Sequence, residues 1–251
     1  MSATVNTEAT ELIDASLHER RVKFGEPAAI DFPALARNGS DGVADGVVAA
    51  YAPYSPAVEP LRSLRSQLML RWLHATSRRM LAVTSPGRLE GRSWVAANLA
   101  TVFAQTGQPT LLIDADLRQP SQHRLFNLEN LVGLSSLLAA RTPVRDAFVR
   151  VHPELQLFVL PAGPASPNPQ ELLLSPMFET VLDRLGQLFS IVVVDTPAAS
   201  SSADAQIIAA RAGAALLVSR RHRTRASGLL QTTRCLMDSG VHVLGSVVNE
   251  H

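Results

Sequence analysis

The sequence predicts a three-layer α/β fold in which a mainly parallel β-sheet lies between two layers of helices. From about residue 78 onward, short apolar segments alternate with longer amphipathic ones, which is the order of strands and helices in such folds. Segment 190–197 has a continuous apolar run, typical of a strand covered on both faces. Asp114, Asp116 and Asp195 follow apolar segments, at the strand ends where parallel sheets carry their binding sites.

The elements follow from periodicity and from turn residues. Strands are predicted at 78–85, 109–116, 155–163, 190–197, 214–220 and 241–249. Helices are predicted at 58–75, 91–107, 168–189, 203–213 and 225–240. The first helix has apolar residues at helical spacing, namely Leu61, Leu64, Leu68 and Trp72. The second closes at Gly107, and a break at Pro176 is expected in the third.

Residues 1–45 differ from the rest of the chain. They have two weak apolar clusters, and the Gly, Asn, Asp and Ser residues of ARNGSDGVADG, where this region ends, are typical of a linker. We expect a small or poorly ordered extension over 1–45 and one domain over 46–251. No apolar run approaches the roughly 20 residues that span a bilayer. The N-terminus has no stretch of signal-peptide type, so a cytoplasmic location is expected.

The composition limits the classes of function. Formal net charge is +1, which argues against a strongly basic nucleic-acid-binding protein. The single cysteine, Cys235, excludes an intrachain disulfide framework and a cysteine-based zinc site. Of the 23 basic residues only Lys23 is a lysine, so a motif elsewhere that ordinarily uses lysine must use arginine or do without it.

The segment TSPGRLEGRSW lies between the first predicted strand and the second predicted helix. Gly91 and Ser93 fit the end of the phosphate-binding pattern G-x-x-x-x-G-K-[ST], whereas Arg92 stands at the lysine position and Pro86 at the first glycine. A helix N-terminus after a glycine turn offers free N–H groups to an anion. A simple tight turn that opens a helix is the alternative interpretation of this loop.

The three aspartates extend this interpretation. Any one of them alone is more simply explained as a helix cap or a turn residue. Together, at strand ends beside the loop, they form a donor set suited to Mg²⁺, which prefers a few carboxylates with waters and phosphate oxygens.

With this loop and these aspartates, the sequence resembles the bacterial tyrosine kinases (BY-kinases), which are P-loop proteins related to the MinD/ParA ATPases. Within that family it resembles the EpsG-type chain-length determinant kinases. The resemblance covers roughly residues 50–251. LLIDADLRQPSQHRLF is similar to the family's Walker A′ segment, VVVDTP to its Walker B segment, and GPASPNPQELL to its proline-rich helix start. EPLRSLR matches the family pattern E-x-x-R-x-x-R.

The resemblance implies a P-loop NTPase fold of MinD/ParA type and a protein-tyrosine kinase that uses ATP and Mg²⁺. The implied catalytic residues are Asp114, Asp116 and Arg92. The implied nucleotide-binding residues are Gly87, Glu90, Gly91, Arg92, Ser93, Trp94 and Asn249. The implied metal ligands are Ser93, Asp114 and Asp195. The implied subunit contacts of a homo-oligomer are Glu59, Arg62 and Arg65. The resemblance also implies a role in controlling exopolysaccharide chain length, polymerisation or export. It implies a chain-length membrane protein as a partner, which would place the kinase at the inner membrane. Nucleic acid is not expected as a partner.

Three loop residues and the tyrosines depart from the usual family pattern. Arg92 replaces lysine, Leu89 stands where related loops have glycine, and Trp94 stands where many have a small hydroxyl residue. Tyr51 and Tyr54 are the only tyrosines, so a tyrosine-rich C-terminal tail is absent from this sequence. Two further hypotheses stay open: a catalytically impaired pseudokinase that acts as a scaffold, and a ParA/MinD-like positioning ATPase.

Overall fold

A computed structural model describes residues 46–72, 79–151 and 154–250. The predicted extension over 1–45 lies outside the described residues. The domain boundary proposed at residue 46 therefore stays a prediction. The first described helix is the short α1 (Val48–Tyr51).

The described chain alternates strands and helices, as expected. The strands are β1 (Met80–Thr84), β2 (Thr110–Asp114), β3 (Val149–Arg150), β4 (Leu157–Leu160), β5 (Ile191–Asp195), β6 (Ala214–Arg220) and β7 (His242–Asn249). The helices after α1 are α2 (Glu59–Arg71), α3 (Arg92–Ala104), α4 (Gln122–Leu125), α5 (Leu134–Leu138), α6 (Pro169–Leu174), α7 (Pro176–Leu188), α8 (Asp204–Ala212) and α9 (Ala226–Asp238). Two 3₁₀ turns span Pro56–Val58 and Val144–Asp146.

The seven described strands form one sheet in the order β3-β4-β2-β5-β1-β6-β7. All neighbours pair in parallel except β3 and β4, which are antiparallel. The mainly parallel sheet is therefore confirmed. The order places β1, β2 and β5 side by side in the middle, so the loops that follow these three strands meet at one edge.

Alternate residues of the central strands point into two separate cores, one on each face of the sheet. On β2, Leu111 and Ile113 pack into one core, whereas Leu112 packs into the other. The second core contains α3 and the buried Trp72, whose ring meets Phe103 edge-on at 6.2 Å between ring centroids. Two covered faces confirm the three layers and explain why the central strands are apolar throughout.

The N-terminal end of the domain is fastened to α3 by Asn98. Its side-chain Oδ1 accepts the Ala49 N–H at 2.9 Å, and its Nδ2 donates to the carbonyl oxygens of Gly46 at 3.1 Å and of Trp94 at 3.0 Å. Gln105 adds a second link at the far end of α3, where its Nε2 donates to the Ala49 carbonyl at 2.7 Å. Residues 46–50 are thus packed onto the domain, and Val47 and Ala49 belong to its second core.

The interruption predicted at Pro176 is confirmed, because α6 ends at Leu174 and α7 begins at Pro176. The short elements α4, α5 and β3 were not predicted, since four or five residues give too little periodicity to identify an element. Of the helices in the described ranges, none combines the length and the apolar character needed to cross a membrane.

Candidate active site

The loop between β1 and α3 is shaped by hydrogen bonds from its own side chains. Ser85 Oγ donates to the Gly87 carbonyl at 2.7 Å, and the Gly87 N–H donates to the Glu90 carboxylate at 2.9 Å. The other Glu90 carboxylate oxygen accepts from the hydroxyl of Thr224, which follows β6. Because both carboxylate oxygens are used within the protein and the residue is buried, only the backbone of Glu90 remains for the predicted contact with nucleotide.

Gly91, which precedes the first residue of α3, is required at its position for two reasons. Its φ of +87° lies in the left-handed region, which disfavours residues with a side chain. A Cβ atom there would also lie 2.0 Å from Nδ2 of Asn249. Asn249 donates from this amide to the Glu90 carbonyl at 3.2 Å, so the residue predicted to contact the nucleotide lies against the loop at the end of β7.

Leu89 adopts the conformation that a glycine would favour. Its φ is +60°, a conformation that costs a residue with a side chain about 1–2 kcal/mol. Its side chain is 73% exposed, and its carbonyl accepts a hydrogen bond from Arg220 Nη1 at 3.3 Å. The loop thus keeps a left-handed residue at this position although the glycine expected from the family pattern is absent.

Asp114 and Asp195 end the neighbouring strands β2 and β5 and lie opposite each other in the register. Both are completely buried. The two Asp114 oxygens accept backbone N–H groups: Oδ2 accepts those of Ser121 and Gln122 at 2.9 Å each, and Oδ1 accepts that of Asp116 at 3.2 Å. Asp114 therefore organises the turn after β2 and the start of α4; its roles in catalysis and in metal binding stay predictions.

Arg92 is directed at the carboxylates of the site. Its Nε lies 3.3 Å from Asp195 Oδ1 and its Nη2 lies 3.3 Å from Asp116 Oδ2. Its Nη1 donates to Ser85 Oγ at 3.0 Å. The guanidinium keeps its positive charge at any physiological pH, so it is a permanent counterion to both aspartates. The residue at the lysine position of the pattern is thus bound to protein acceptors.

Burial dominates the titration of the two strand-end carboxylates. Burial and the neighbouring Asp195 raise the pKa of Asp114 to about 8, against the stabilising backbone N–H groups of Gln122 and Ser121. Burial also raises the pKa of Asp195, although Arg92, the Gln122 amide and the Ser93 hydroxyl favour its charged form. Two buried carboxylates with raised pKa values gain stability from a proton or from an additional cation.

The donor set fits a magnesium ion bound together with phosphate. The Ser93 hydroxyl lies close enough to Asp195 to favour its charged form, and these are the residue types with which P-loop proteins hold Mg²⁺. Within the described ranges, no group of three or more His, Cys, Asp or Glu residues is arranged to hold a metal by itself. The fit is therefore to an ion that keeps waters and takes phosphate oxygens, as Mg²⁺ prefers.

Gln122 is a site residue that the sequence reasoning missed. Its Nε2 donates to Asp195 Oδ2 at 2.7 Å and to the Ser93 carbonyl at 3.0 Å. Its Oε1 is buried, and no donor in the described part of the chain reaches it. The residue lies in the segment compared with Walker A′, but a glutamine carries no signal of its own. Only the turn held by Asp114 places it beside Asp195.

Beside these groups is an open cleft of about 560 Å³, a volume within the range of small-molecule sites. Its walls include Trp94, Leu89 and Leu125. The basic side chains that line it are Arg88, Arg92, Arg118 and Arg124. Arg118 Nε is paired with Asp204 Oδ2 at 2.7 Å, so α8 holds one of these arginines in place. The cleft combines an apolar wall with positive charge, which suits a ligand with an aromatic ring and phosphates.

The predicted subunit-contact residues lie on α2, away from the cleft. Glu59 and Arg62 form an ion pair at 3.6 Å, and Arg62 Nη2 also donates to the Pro53 carbonyl at 2.7 Å. Arg65 Nη1 donates to the Val102 carbonyl at 2.9 Å. The two arginines therefore bind groups of their own chain, and their role in an oligomer stays a prediction.

Comparison with known proteins agrees with this geometry. No protein-family profile matches the chain. The tyrosine-protein kinase YwqD of Bacillus subtilis is 35% identical over 216 residues, which cover 86% of this chain and 90% of YwqD. The chain belongs to the bacterial tyrosine kinase family. The kinase domain of the Escherichia coli tyrosine kinase ETK, a solved structure of this family, superposes with a TM-score of 0.77 at 31% identity, covering 81% of this chain and 79% of that domain.

Two further similarities define the context of the family. A protein of Klebsiella pneumoniae, named as a tyrosine-protein kinase in a cps region, is 32% identical over 203 residues, which are 81% of this chain but 28% of that relative. The MinD cell division ATPase of Pyrococcus furiosus superposes with a TM-score of 0.61 at 24% identity, covering 69% of this chain and 72% of that one. The second similarity concerns the fold alone and confirms the P-loop NTPase type.

Proposed function

We propose that this bacterial tyrosine kinase uses ATP and Mg²⁺ to phosphorylate tyrosine. One observation carries the proposal: Ser93 lies in the first turn of α3, close enough to Asp195 to favour its charged form, and it lines a cleft with four arginines. A helix N-terminus offers N–H groups and positive potential to phosphates. The family membership supplies tyrosine as the acceptor.

In this proposal each residue has a defined task. Ser93 and Asp195 would hold Mg²⁺, which neutralises charge on the phosphates during transfer. The backbone N–H groups around Gly91 bind phosphate oxygens. Arg92 exchanges its contacts with Asp195 and Asp116 for phosphate oxygens, which releases both carboxylates. Asp116 then accepts the proton of the tyrosine hydroxyl, and Asp114 keeps the turn after β2 in place.

The cellular role that we propose is control of exopolysaccharide chain length, polymerisation or export. Similarity to a kinase named for a cps region supports it. The proposed partner is a chain-length membrane protein, which would bring the kinase to the inner membrane, and the proposed assembly is a homo-oligomer.

A pseudokinase that acts as a scaffold is the second candidate. The contacts of Arg92 favour it, because they engage the cation at the lysine position of the pattern with acceptors of the protein itself. The left-handed Leu89 and the bulky Trp94 at the first turn of α3 favour it as well. In that case the polysaccharide machinery would use the fold for binding without phosphoryl transfer.

The two candidates differ in their response to Mg-ATP. Trp94 lines the cleft and Trp72 is fully buried, so the fluorescence of Trp94 reports ATP binding. For the kinase, we expect Mg-ATP to change this fluorescence, to raise the melting temperature and to yield phosphate on a Glu-Tyr copolymer. Asp116→Asn should keep binding and lose transfer, whereas the exposed control Asp146→Asn should keep both.

Absence of any fluorescence or melting response at millimolar Mg-ATP would contradict the kinase and support the scaffold. The combined variant Leu89→Gly and Arg92→Lys then tests the loop itself. Recovery of binding in that variant would assign the loss to these two residues.

A further inference from the structure

The tyrosines of the chain are few and close together. Tyr51 and Tyr54 are the only two in the sequence, and both precede α2. The ring of Tyr54 is 92% exposed. If the protein phosphorylates tyrosine, as proposed above, then any autophosphorylation on tyrosine within these 251 residues must occur at one of these two residues.

The backbone presents Tyr54 at the tip of a fixed turn. The Ser55 N–H donates to the Ala52 carbonyl at 2.9 Å, which closes a β-turn with Pro53 and Tyr54 at its two central positions. Proline pre-sets the backbone at the first central position of such turns. Arg62 Nη2 holds the turn from α2 through the Pro53 carbonyl at 2.7 Å. Because the anchors bind the backbone, the ring is left to project into solvent.

The elements that flank the turn are anchored to the middle and the C-terminal end of α3, whereas the phosphate loop precedes its N-terminal end. Gln105 and Val102, near the C-terminal end of α3, bind the two elements that flank the turn: Gln105 binds α1 through Ala49, and Val102 binds α2 through Arg65. Ser93 is in the first turn of the same helix. At about 1.5 Å per residue, Val102 and Ser93 are about 13 Å apart along the helix axis. Tyr54 is not among the residues that line the cleft of its own chain, and its flanks are held toward the opposite end of α3.

We propose that Tyr54 is an autophosphorylation site and that a second copy of the chain phosphorylates it; this inference rests on the proposed kinase function. The phenolic oxygen of Tyr54 attacks the γ-phosphorus of an ATP molecule held by the second copy. The bond between the γ-phosphorus and the bridging oxygen breaks, and ADP leaves with the electron pair. The phenolic proton passes to the carboxylate of Asp116 in the second copy.

The cleft of the second copy is suited to receive this residue. It is open at the surface, and arginines 88, 118 and 124 line it together with Arg92. The exposed ring at the tip of the turn is the part of the second chain that would enter such a cleft. The arginines would stabilise the phosphotyrosine that is formed, because a phosphate monoester pairs well with guanidinium groups.

Incubation of the purified full chain with Mg-ATP, followed by mass spectrometry, tests the assignment. Trypsin releases residues 38–62 as one peptide that contains both tyrosines, and its fragmentation locates the phosphate. We expect Tyr54→Phe to lose the phosphate on this peptide and the matched control Tyr51→Phe to keep it. Phosphate that persists in Tyr54→Phe at the level of the unaltered protein would overturn the assignment.

Mixing two variants tests transfer between copies. Asp116→Asn provides an acceptor without activity, and Tyr54→Phe provides an active enzyme without the acceptor. We expect phosphate on Tyr54 of the Asp116→Asn chain only in the mixture. An unaltered protein that phosphorylates itself, combined with an acceptor chain that stays unmodified in the mixture, would overturn transfer between copies.

The Glu-Tyr copolymer separates failure of this inference from failure of the proposed function. If Tyr54→Phe phosphorylates the copolymer but the unaltered protein carries no phosphate on 38–62, the kinase stands and the Tyr54 site is overturned. If the unaltered protein phosphorylates neither substrate, the proposed function itself fails and the inference fails with it.

Discussion

Two constraints act on the single residue Gly91. Its left-handed backbone disfavours any side chain, and the amide of Asn249 fills the space that a Cβ atom would need. The first constraint concerns the chain alone, whereas the second joins the phosphate loop to the last strand of the sheet. Substitution can separate them, because other glycines of the domain have only the first.

We expect Gly91→Ala to lower the free energy of unfolding by more than the control Gly107→Ala. Gly107 has a similar φ of +81°, and no atom lies within 4 Å of the position that a Cβ atom would take there. Its substitution therefore costs backbone strain alone, about 1–2 kcal/mol. Gly91→Ala adds the clash with Asn249. Urea unfolding of both variants measures the difference.

The double variant Gly91→Ala with Asn249→Ala should regain the part of the unfolding free energy that the clash with Asn249 costs. The cost of the left-handed backbone should remain. Equal losses for Gly91→Ala and Gly107→Ala would contradict a steric role for Asn249.

Side-chain direction is the property that the sequence could not reveal at the residue scale. Asp114 and Asp195 were predictable because apolar strands end there and parallel strands bring their ends together. The inward orientation of Arg92 was not predictable, because it depends on the carboxylates of Asp116 and Asp195, which are distant in the sequence. The same holds for Glu90, whose carboxylate partner Thr224 lies beyond β6.

At the scale of elements, α2 is joined to α3 by Arg65, one of the three residues that the family pattern assigns to subunit contacts. Arg65 reaches across to the Val102 carbonyl, so it stabilises the packing of the two helices within one chain. Glu59 has a side chain that is 70% exposed and remains accessible to another molecule. The pattern on this helix therefore has a structural function in the single chain, whatever it does in an assembly.

We expect Arg65→Ala to lower the free energy of unfolding of the dilute monomer by about 1 kcal/mol, the usual net contribution of one hydrogen bond. Glu59→Ala should leave it nearly unchanged, because an exposed ion pair contributes little. Chemical unfolding at low protein concentration measures both, and sedimentation measures the assembly in parallel. An Arg65→Ala variant that alters sedimentation alone would contradict the link between the helices.

The element order was predictable to the extent that each element had a period. The strands near the site and helices α2, α3, α7, α8 and α9 have enough residues for this. Helix α4 is too short to show a period, yet it places Gln122 beside the Asp195 carboxylate. The part of the site that sequence reasoning missed thus comes from the least periodic segment.

For the whole molecule, the buried carboxylates make stability depend on pH. An aspartate has a pKa of about 3.9 when unfolded, whereas the pKa of Asp114 in the folded chain is about 8. Between these values the folded state binds more protons than the unfolded state. The contribution of Asp114 to the free energy of unfolding is therefore greatest below about pH 4 and falls as the pH rises toward 8.

We expect Asp114→Asn to gain stability relative to the unaltered protein as the pH rises from about 5 to 8, because the amide has no charge to bury. The slope of this difference is at most about 1.4 kcal/mol per pH unit. Urea unfolding in metal-free buffer across this range measures it. For the control Asp146→Asn, at an exposed position, the unfolding free energy should depend on pH in the same way as that of the unaltered protein. Parallel curves for Asp114→Asn as well would show that Asp114 is charged throughout.

The Asn98 clamp has a practical consequence for spectroscopy. The side-chain amide of Asn98 donates to both the Gly46 carbonyl and the Trp94 carbonyl, so the backbone of Gly46 lies close to the backbone of the residue whose indole lines the cleft. A dye attached at Gly46 would therefore lie within energy-transfer range of the Trp94 indole. A change in the efficiency of that transfer would report a change in the position of the Trp94 indole relative to Gly46.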